Sequence, residues 1–240
     1  TTTGTLTATY DNPSNNFATL NPSMNFFQAA TFSNGNNTIV TGTAISAPSS
    51  STLGVNAGKW YWEVKQTARS DADDTYIGVL STQLTAAAYE LGHNAGDWAY
   101  YSQGASRNNN GNTSYGDSWD TGDIIGFALD VTNNKLYFAK NNTWQNSGDP
   151  TSGGTGTGAL SITQTAITDG DCALGYWFPA VCYAAGAGYA TLNTNFGNGY
   201  FGTTAVTSAE ADGDGIGAFE YAPPTGYFAI CTKNIKAYGG

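Results

Sequence analysis

From residue 58 onward the chain alternates between oily and polar positions. In "KWYWEVKQ", residues 59–66, Trp60, Trp62 and Val64 fall on one face and Tyr61, Glu63 and Lys65 on the other, the period of a half-buried strand. "TYIGVL", residues 75–80, reads as its antiparallel partner across the acidic loop "RSDADD". The stretch "TGDIIGFALDVTNNKLYFAKNNTW", residues 121–144, reads as a self-contained hairpin. Ile125, Phe127 and Leu129 point one way, Ile124, Gly126 and Ala128 the other, and Thr132 to Lys135 turn the chain into Leu136–Ala139. Gly122 and Gly126 suit a bend or a close approach of neighbouring chain. Tyr176–Ala184 and Thr191–Phe196 complete the strong strand signals.

The flanks are weaker in pattern. Residues 1–55, rich in Thr, Ser and Asn, predict short strands around Thr5–Tyr10, Thr31–Phe32 and Thr38–Thr41. The last two are joined by a Ser33-to-Asn37 turn whose Asn-Gly pair tolerates positive φ. Residues 145–170 read as a Gly/Ser/Thr-rich loop, too polar for a core and mobile. No helical period lasts beyond a turn or two, apart from a short turn at Gln83–Tyr89, and there is no internal repeat. The pattern predicts an all-β, antiparallel β-sandwich over 53–200, an N-terminal extension over 1–52 that packs on or docks the sandwich, and a C-terminal extension over 201–240. The uncharged run from Cys172 to Leu192 is long enough to span a bilayer, but Pro179, Gly175, Gly186 and Gly188 mark it as two strands and a turn, so no membrane insertion is expected.

At 240 residues the chain can bury a core without disulfides. Only 11% of residues are charged while 13% are aromatic, and 18 acidic against 8 basic residues leave a net charge of -10 with no basic cluster. Phosphate backbones need concentrated Lys and Arg, so nucleic acid is not an expected partner. Cys172, Cys182 and Cys231 have no metal-ligand spacing and allow one pair at most; buried free thiols are the expectation. The chain opens at Thr1 without Met, which suits a processed N-terminus, and shows no secretory pattern.

Taken in order, "GKWYWEV", "YIGVL", "GDIIGFALDVTNNKLYFAKNNTW", "FPAV" and "LNTNFG" resemble the ordered motifs of a SPRY domain, from about Leu53 to Gly197. The resemblance implies a concanavalin-like, jelly-roll antiparallel sandwich that acts as a non-enzymatic binding or architectural module and presents loops at one edge to a partner. The flanks "NNFATLNP", 15–22, and "APPTGYFAICTKNI", 222–235, are similar to segments flanking SPRY domains in structural proteins of tailed bacteriophages. The loop at 145–170 is longer than the family pattern, and the edge loops share nothing obvious with animal SPRY domains that bind peptides.

Such a sandwich can also carry a glycan hydrolase, which needs two carboxyl groups across a cleft. "EADGDG", 210–215, begins like the E-x-D-x-x-E strand of concanavalin-like hydrolases, with Glu210 and Asp212, but has Gly215 where the last Glu belongs. No catalytic residue is assigned. Asp212 and Asp214, or Asp71, Asp73 and Asp74, are spaced as oxygen ligands of calcium, yet neither set completes a recognised loop, and a solvated acidic turn is the plainer reading. His93, the only histidine, lacks partners for zinc or a nucleophile elbow and reads as a surface or capping residue. No metal or cofactor is expected.

Rigid rings in loops are the remaining candidates for binding. Tyr100, Tyr101, Tyr115 and Trp144 lie in or beside Asn-rich, loop-like segments, and Arg107 is a rare cation that suits an acidic ligand. Trp60, Trp62, Phe127 and Phe138 read as core, with Trp98 and Trp119 in or near it. The resemblance of the flanks to those of tailed-bacteriophage proteins implies a virion structural or binding protein, a fibre, appendage or capsid-decorating subunit on the particle surface. Its expected partners are virion proteins, copies of itself and a host-surface glycan or protein. The first 55 or last 20 residues serve as docking strands, and residues 1–20 as dispensable to the sandwich. A cellular carbohydrate-binding or protein-interaction module is the alternative, and a glycan hydrolase the third reading.

Overall fold

The computed structural model describes residues 10–24, 30–42, 46–70, 74–83, 89–163, 172–184 and 188–239. The predicted strand before Tyr10, the pair Asp71 and Asp73, and most of the predicted turn at 83–89 lie outside them. The strands are β1 (Thr31–Ser33), β2 (Thr38–Val40), β3 (Ser49–Ser50), β4 (Lys59–Arg69), β5 (Thr75–Gln83), β6 (Trp98–Tyr101), β7 (Ala105–Asn108), β8 (Gly111–Ser114), β9 (Ile124–Asp130), β10 (Lys135–Lys140), β11 (Thr143–Trp144), β12 (Leu160–Ser161), β13 (Cys172–Tyr183), β14 (Ala190–Asn195), β15 (Tyr200–Phe201), β16 (Thr204–Ala205) and β17 (Phe228–Ala229), followed by helix α1 (Thr232–Tyr238). One sheet runs β1-β2-β14-β4-β9-β10-β11, with β12 on β10 and β17 on β4; the other runs β3-β13-β5-β6-β7-β8.

The sandwich closes on a row of rings. Register places Trp62 opposite Phe127 and Phe127 opposite Phe138 on one face of the first sheet. Trp62 stacks on Phe127 at 4.6 Å, Phe127 meets Phe138 edge-on at 5.2 Å, and Phe138 reaches Tyr100 of the facing sheet at 5.2 Å. All four are fully buried, and each such ring contributes about 1.5–3 kcal/mol by leaving water. The β9–β10 hairpin forms as predicted: Asp130 Oδ1 accepts the Asn133 N–H at 2.9 Å, and Asn134 takes the left-handed φ of 55° that a short polar side chain tolerates. The Asn-Gly turn between β1 and β2 is also present, with Asn34, Gly35 and Asn36 all at positive φ.

The pairing of the central strand departs from the sequence reading. β5 does not join β4 but crosses into the second sheet between β13 and β6, while β4 pairs with β14 and β9. Nor is β4 half-buried, because Tyr61 and Glu63 are as enclosed as Trp60 and Trp62. The C-terminal extension roofs the outer face: Phe219 packs edge-on against Tyr61 at 5.0 Å, and β17 adds in parallel beside Trp60 and Tyr61. Glu63 is the tie between the layers. It accepts the Glu220 and Tyr221 N–H groups at 2.9 Å each, Asn195 Nδ2 at 3.1 Å and the Tyr61 hydroxyl at 3.0 Å. Gly126 permits the last of these, since a Cβ there would stand 2.9 Å from the Tyr61 hydroxyl oxygen.

The described parts of both extensions pack on the sandwich and add residues to its core. Phe17 bridges Cys231, the Ala18 N–H donates to Ile230 O at 2.9 Å, and Asn16 N–H to Thr232 Oγ1 at 3.0 Å. Phe17, Ala18, Leu20, Tyr227, Ala229, Ile230 and Cys231 are buried, which counts against residues 10–20 being dispensable and against these C-terminal residues being free to dock elsewhere. Residues 145–163 are likewise not a loose loop. They form two 3-10 turns and β12, bury Gln145, Pro150 and Ile162, and anchor the Tyr227 hydroxyl on Pro150 O at 2.9 Å. Cys182 and Cys231 are buried free thiols, and burial pushes the Cys182 thiol up to about 12.

Removing residues 1–20 is expected to destabilise the fold, because the loss of Phe17 and Leu20 alone costs about 2–5 kcal/mol each. A truncated chain with an unchanged denaturation midpoint would refute this. Glu63 gives a second outcome. Burial raises its carboxyl from 4.5 to about 7 against the pull of its four donors. A raised folded pKa means that the associated stability, about 3 kcal/mol at most, is present in acid and disappears as pH rises from about 4.5 through 7. Denaturation of wild type and Glu63→Gln across pH 4–8 should show this slope only in the wild type. Near pH 4.5, where Glu63 is itself protonated and carries one donor as the amide does, the two should melt within roughly 4 °C of each other, and the variant should become the more stable as pH rises toward 8.

Candidate functional site

The five residues picked from the sequence are mostly committed inside the molecule. Tyr100 and Tyr115 are buried, meeting each other edge-on at 5.7 Å and Phe138 at 5.2 and 5.6 Å. Their hydroxyls bond to Asp117 O and Gly158 O. They are core residues, a correction with a simple cause: Asn-rich turns flank strand and loop positions whose rings are the bulk that fills the space between sheets. Tyr101 is half-buried, stacked on Tyr76 at 4.7 Å, with its hydroxyl on Asp74. Arg107 is buried and turned inward. It pairs with Glu90 at 3.3 Å, donates to Asn110 at 2.6 Å and Asn112 at 3.3 Å, and lies 5.2 Å from the Tyr76 ring centre. Trp144 stays half-exposed at the sheet edge, 6.4 Å from Tyr137.

Asp212 is not a metal ligand or a hydrolytic carboxylate. Oδ1 accepts the Asp214 and Ile216 N–H groups at 3.0 and 2.9 Å, and Oδ2 accepts Ala229 N–H at 3.0 Å and Asn234 Nδ2 at 2.8 Å. With four donors on two oxygens, no lone pair remains for a cation or a sugar. It organises the turn beneath β17, while exposed Asp214 holds the Tyr238 hydroxyl at 2.7 Å. Neither a calcium loop nor the solvated turn read from the sequence describes Asp212. His93 is half-buried and stacks on Tyr89 at 3.9 Å.

The structure instead brings together a polar cleft of about 290 Å³ at one end of the sandwich. Arg69 ends β4, Ser102 and Gln103 turn β6 into β7, Ser118 to Asp123 form the approach to β9, and Lys140 ends β10. The approach is pinned at three points. Trp119 N–H donates to Ser102 O at 2.9 Å, Gly122 N–H to Gln66 O at 2.8 Å, and Lys140 Nζ to Ser118 O at 2.6 Å. Gly122 adopts φ of 99°, which suits glycine there. Two ion pairs line the mouth, Arg69 to Asp120 at 2.8 Å and Lys140 to Asp123 at 3.3 Å. Partial burial pushes the Asp123 carboxyl up, but the Asp120 N–H, Asn141 and Lys140 outweigh it and hold it below its usual value.

Under that mouth two N–H donors, Arg69 Nη1 and Trp119 Nε1, are buried with no acceptor among the described residues. An unmet buried donor costs about 1–3 kcal/mol, so these two are hydrogen-bonding capacity left unused beside the cleft, next to an Asp120 side chain that is 60% exposed. With each cation matched by a carboxylate, the local charge is near zero and the arrangement suits hydrogen-bonding groups more than a strong anion. Neither Arg69 nor Lys140 stood out in the sequence, where a charge ending a strand looks like ordinary solvation, and Trp119, expected in or near the core, is core and also lines the cleft.

Trp119→Phe removes an N–H with no acceptor among the described residues together with part of a buried ring, and is expected to lower the melting temperature by no more than Trp62→Phe does in the ring stack. A clearly larger loss in Trp119→Phe than in Trp62→Phe would show that the indole N–H serves the fold.

Comparison with known proteins agrees with this architecture. The SPRY domain family matches residues 59–198, more than half of the chain. Among solved structures, the SPRY domain of human HERC1 superposes with a TM-score of 0.53 at 18% identity, covering 73% of this chain and 96% of that one. Its fold is shared, while its sequence is distant. No curated protein matches the chain. SPRY domains are generally non-enzymatic modules that mediate protein–protein interactions, and the extent of the match establishes that this chain belongs to the SPRY domain family.

Proposed function

We propose that this chain is a binding subunit of a virion, a fibre, appendage or capsid-decorating protein, whose SPRY sandwich holds a protein partner at the cleft between Arg69 and Lys140. The observation that carries the binding reading is the pair of buried donors with no acceptor among the described residues, Arg69 Nη1 and Trp119 Nε1, beneath a charge-balanced rim. A partner segment offering main-chain carbonyls or side-chain amides satisfies them without bringing a net charge into the site. The virion assignment is supported by the flanks 15–22 and 222–235, which resemble those around SPRY domains of tailed bacteriophages, and which here form one buried seam through Phe17 and Cys231. Low charge and Asn/Gly/Thr-rich loops suit a surface that resists non-specific adhesion. On a particle the subunit assembles with its own copies and neighbouring shell or tail proteins, and serves assembly or attachment to the host.

Electron microscopy of purified particles decorated with an antibody to this chain tests the assignment. Label at a fixed place on the particle is the expected result, and particles free of label would end the virion reading. The cleft has its own readout. Arg69→Ala and Trp119→Phe should each lower occupancy on the particle at least tenfold while the free protein stays folded; unchanged occupancy would move the contact elsewhere.

A further inference from the structure

A second cleft, of about 250 Å³, opens between the N-terminal segment and the turn at residues 215–217, outside residues 59–198 and away from the rim. Four features meet there. The Tyr10 ring is 53% exposed and rests on Gly199, where a Cβ would stand 3.1 Å from its Cε2, so the glycine lets one edge of the ring lie against the backbone. Gly215 and Gly217, at φ of 71° and 85°, give part of the lining without side chains. Asn15 is only 8% exposed, and its carboxamide oxygen has no donor among the described residues. Lys233 brings an ammonium with no ion pair or hydrogen bond among the described residues, and no acid lines the cleft.

A flat ring, a side-chain-free wall, a buried acceptor and an uncommitted cation together match one ligand chemistry. A pyranose offers a C–H face to stack on tyrosine and a hydroxyl to donate to Asn15 Oδ1. A carboxylate on the sugar adds a charge-assisted bond from Lys233. We propose that this cleft binds an acidic sugar, a hexuronic acid unit of a surface polysaccharide. The site uses none of the rim residues, so it stands whether or not a protein partner occupies Arg69 and Trp119.

Methyl β-D-glucuronide and methyl β-D-glucoside differ only at C6, carboxylate against hydroxymethyl, and make the test direct. In the isotope-labelled full chain, the Tyr10 ring signals and the amides of Asn15, Gly215 and Gly217 should shift and saturate with the glucuronide, with Kd on the order of 1 mM. The glucoside should bind roughly tenfold more weakly through the same signals. Lys233→Met should bring the two to parity, and Tyr10→Ala should abolish both while the rest of the spectrum is unchanged. No shift with either sugar, equal affinity for both in the wild type, or the same shifts with acetate alone would each overturn the proposal. Loss of particle label with intact sugar binding would remove the virion reading and leave this site in place.

Discussion

Glu63 holds a carboxyl group out of water between two parts of the chain, and the architecture is arranged around that contact. An enclosed carboxylate is tolerable only when every lone pair is met, so its donors must be fixed in place. Asn195 is aimed from β14 by its own bonds to Ala218 O and to the N–H groups of Gly197 and Gly199. The two main-chain donors come from residues 220 and 221 and lock the C-terminal extension over β4. The extension is therefore a third layer over the sandwich. Asp212 repeats the device one step farther out, tying Ile216, Ala229 and Asn234 into the layer that Glu63 anchors.

With so much polar bonding turned inward, the charged side chains left at the surface are few and their placement is informative. Two of the eight basic residues, Arg69 and Lys140, sit in the rim cleft, and both are paired there with carboxylates. Lys59 and Arg107 are committed to Asp130 and Glu90. Exposed ion pairs add little to stability, so the rim pairs are exchangeable, whereas Lys59 reaches a buried carboxylate that also fixes the β9–β10 turn.

Alternation in the sequence told which side of each strand would be oily, and it located β4, β9, β10, β13 and β14 and the turns between the closest pairs. It could not tell which strand lies beside which. Thr75–Leu80 follows β4 in sequence but crosses to the other sheet, a choice made by pairing with β13 across 98 to 108 positions. The same limit hid the burial of Tyr61 and Glu63, whose covering residues are about 157 positions away. Tyr100 and Tyr115 looked like loop rings because their neighbours are Asn and Gly, yet their hydroxyls find carbonyls inside the molecule. α1, at seven residues, is too short for its period to stand out. The rim cleft was illegible because its parts come from four separate strand ends, each ordinary alone.

The seams that join distant parts of the chain carry a kinetic consequence. Thr38 bonds Asn193, Asn16 bonds Thr232 and Glu63 bonds Tyr221, so loops of 155, 216 and 158 positions must close before the outer layer is in place. Such topology folds slowly, in milliseconds to seconds or beyond. During synthesis the oily strip of Tyr61 and Ala128 stays bare until residues near 230 have left the ribosome, and the newborn chain is vulnerable to aggregation over that interval.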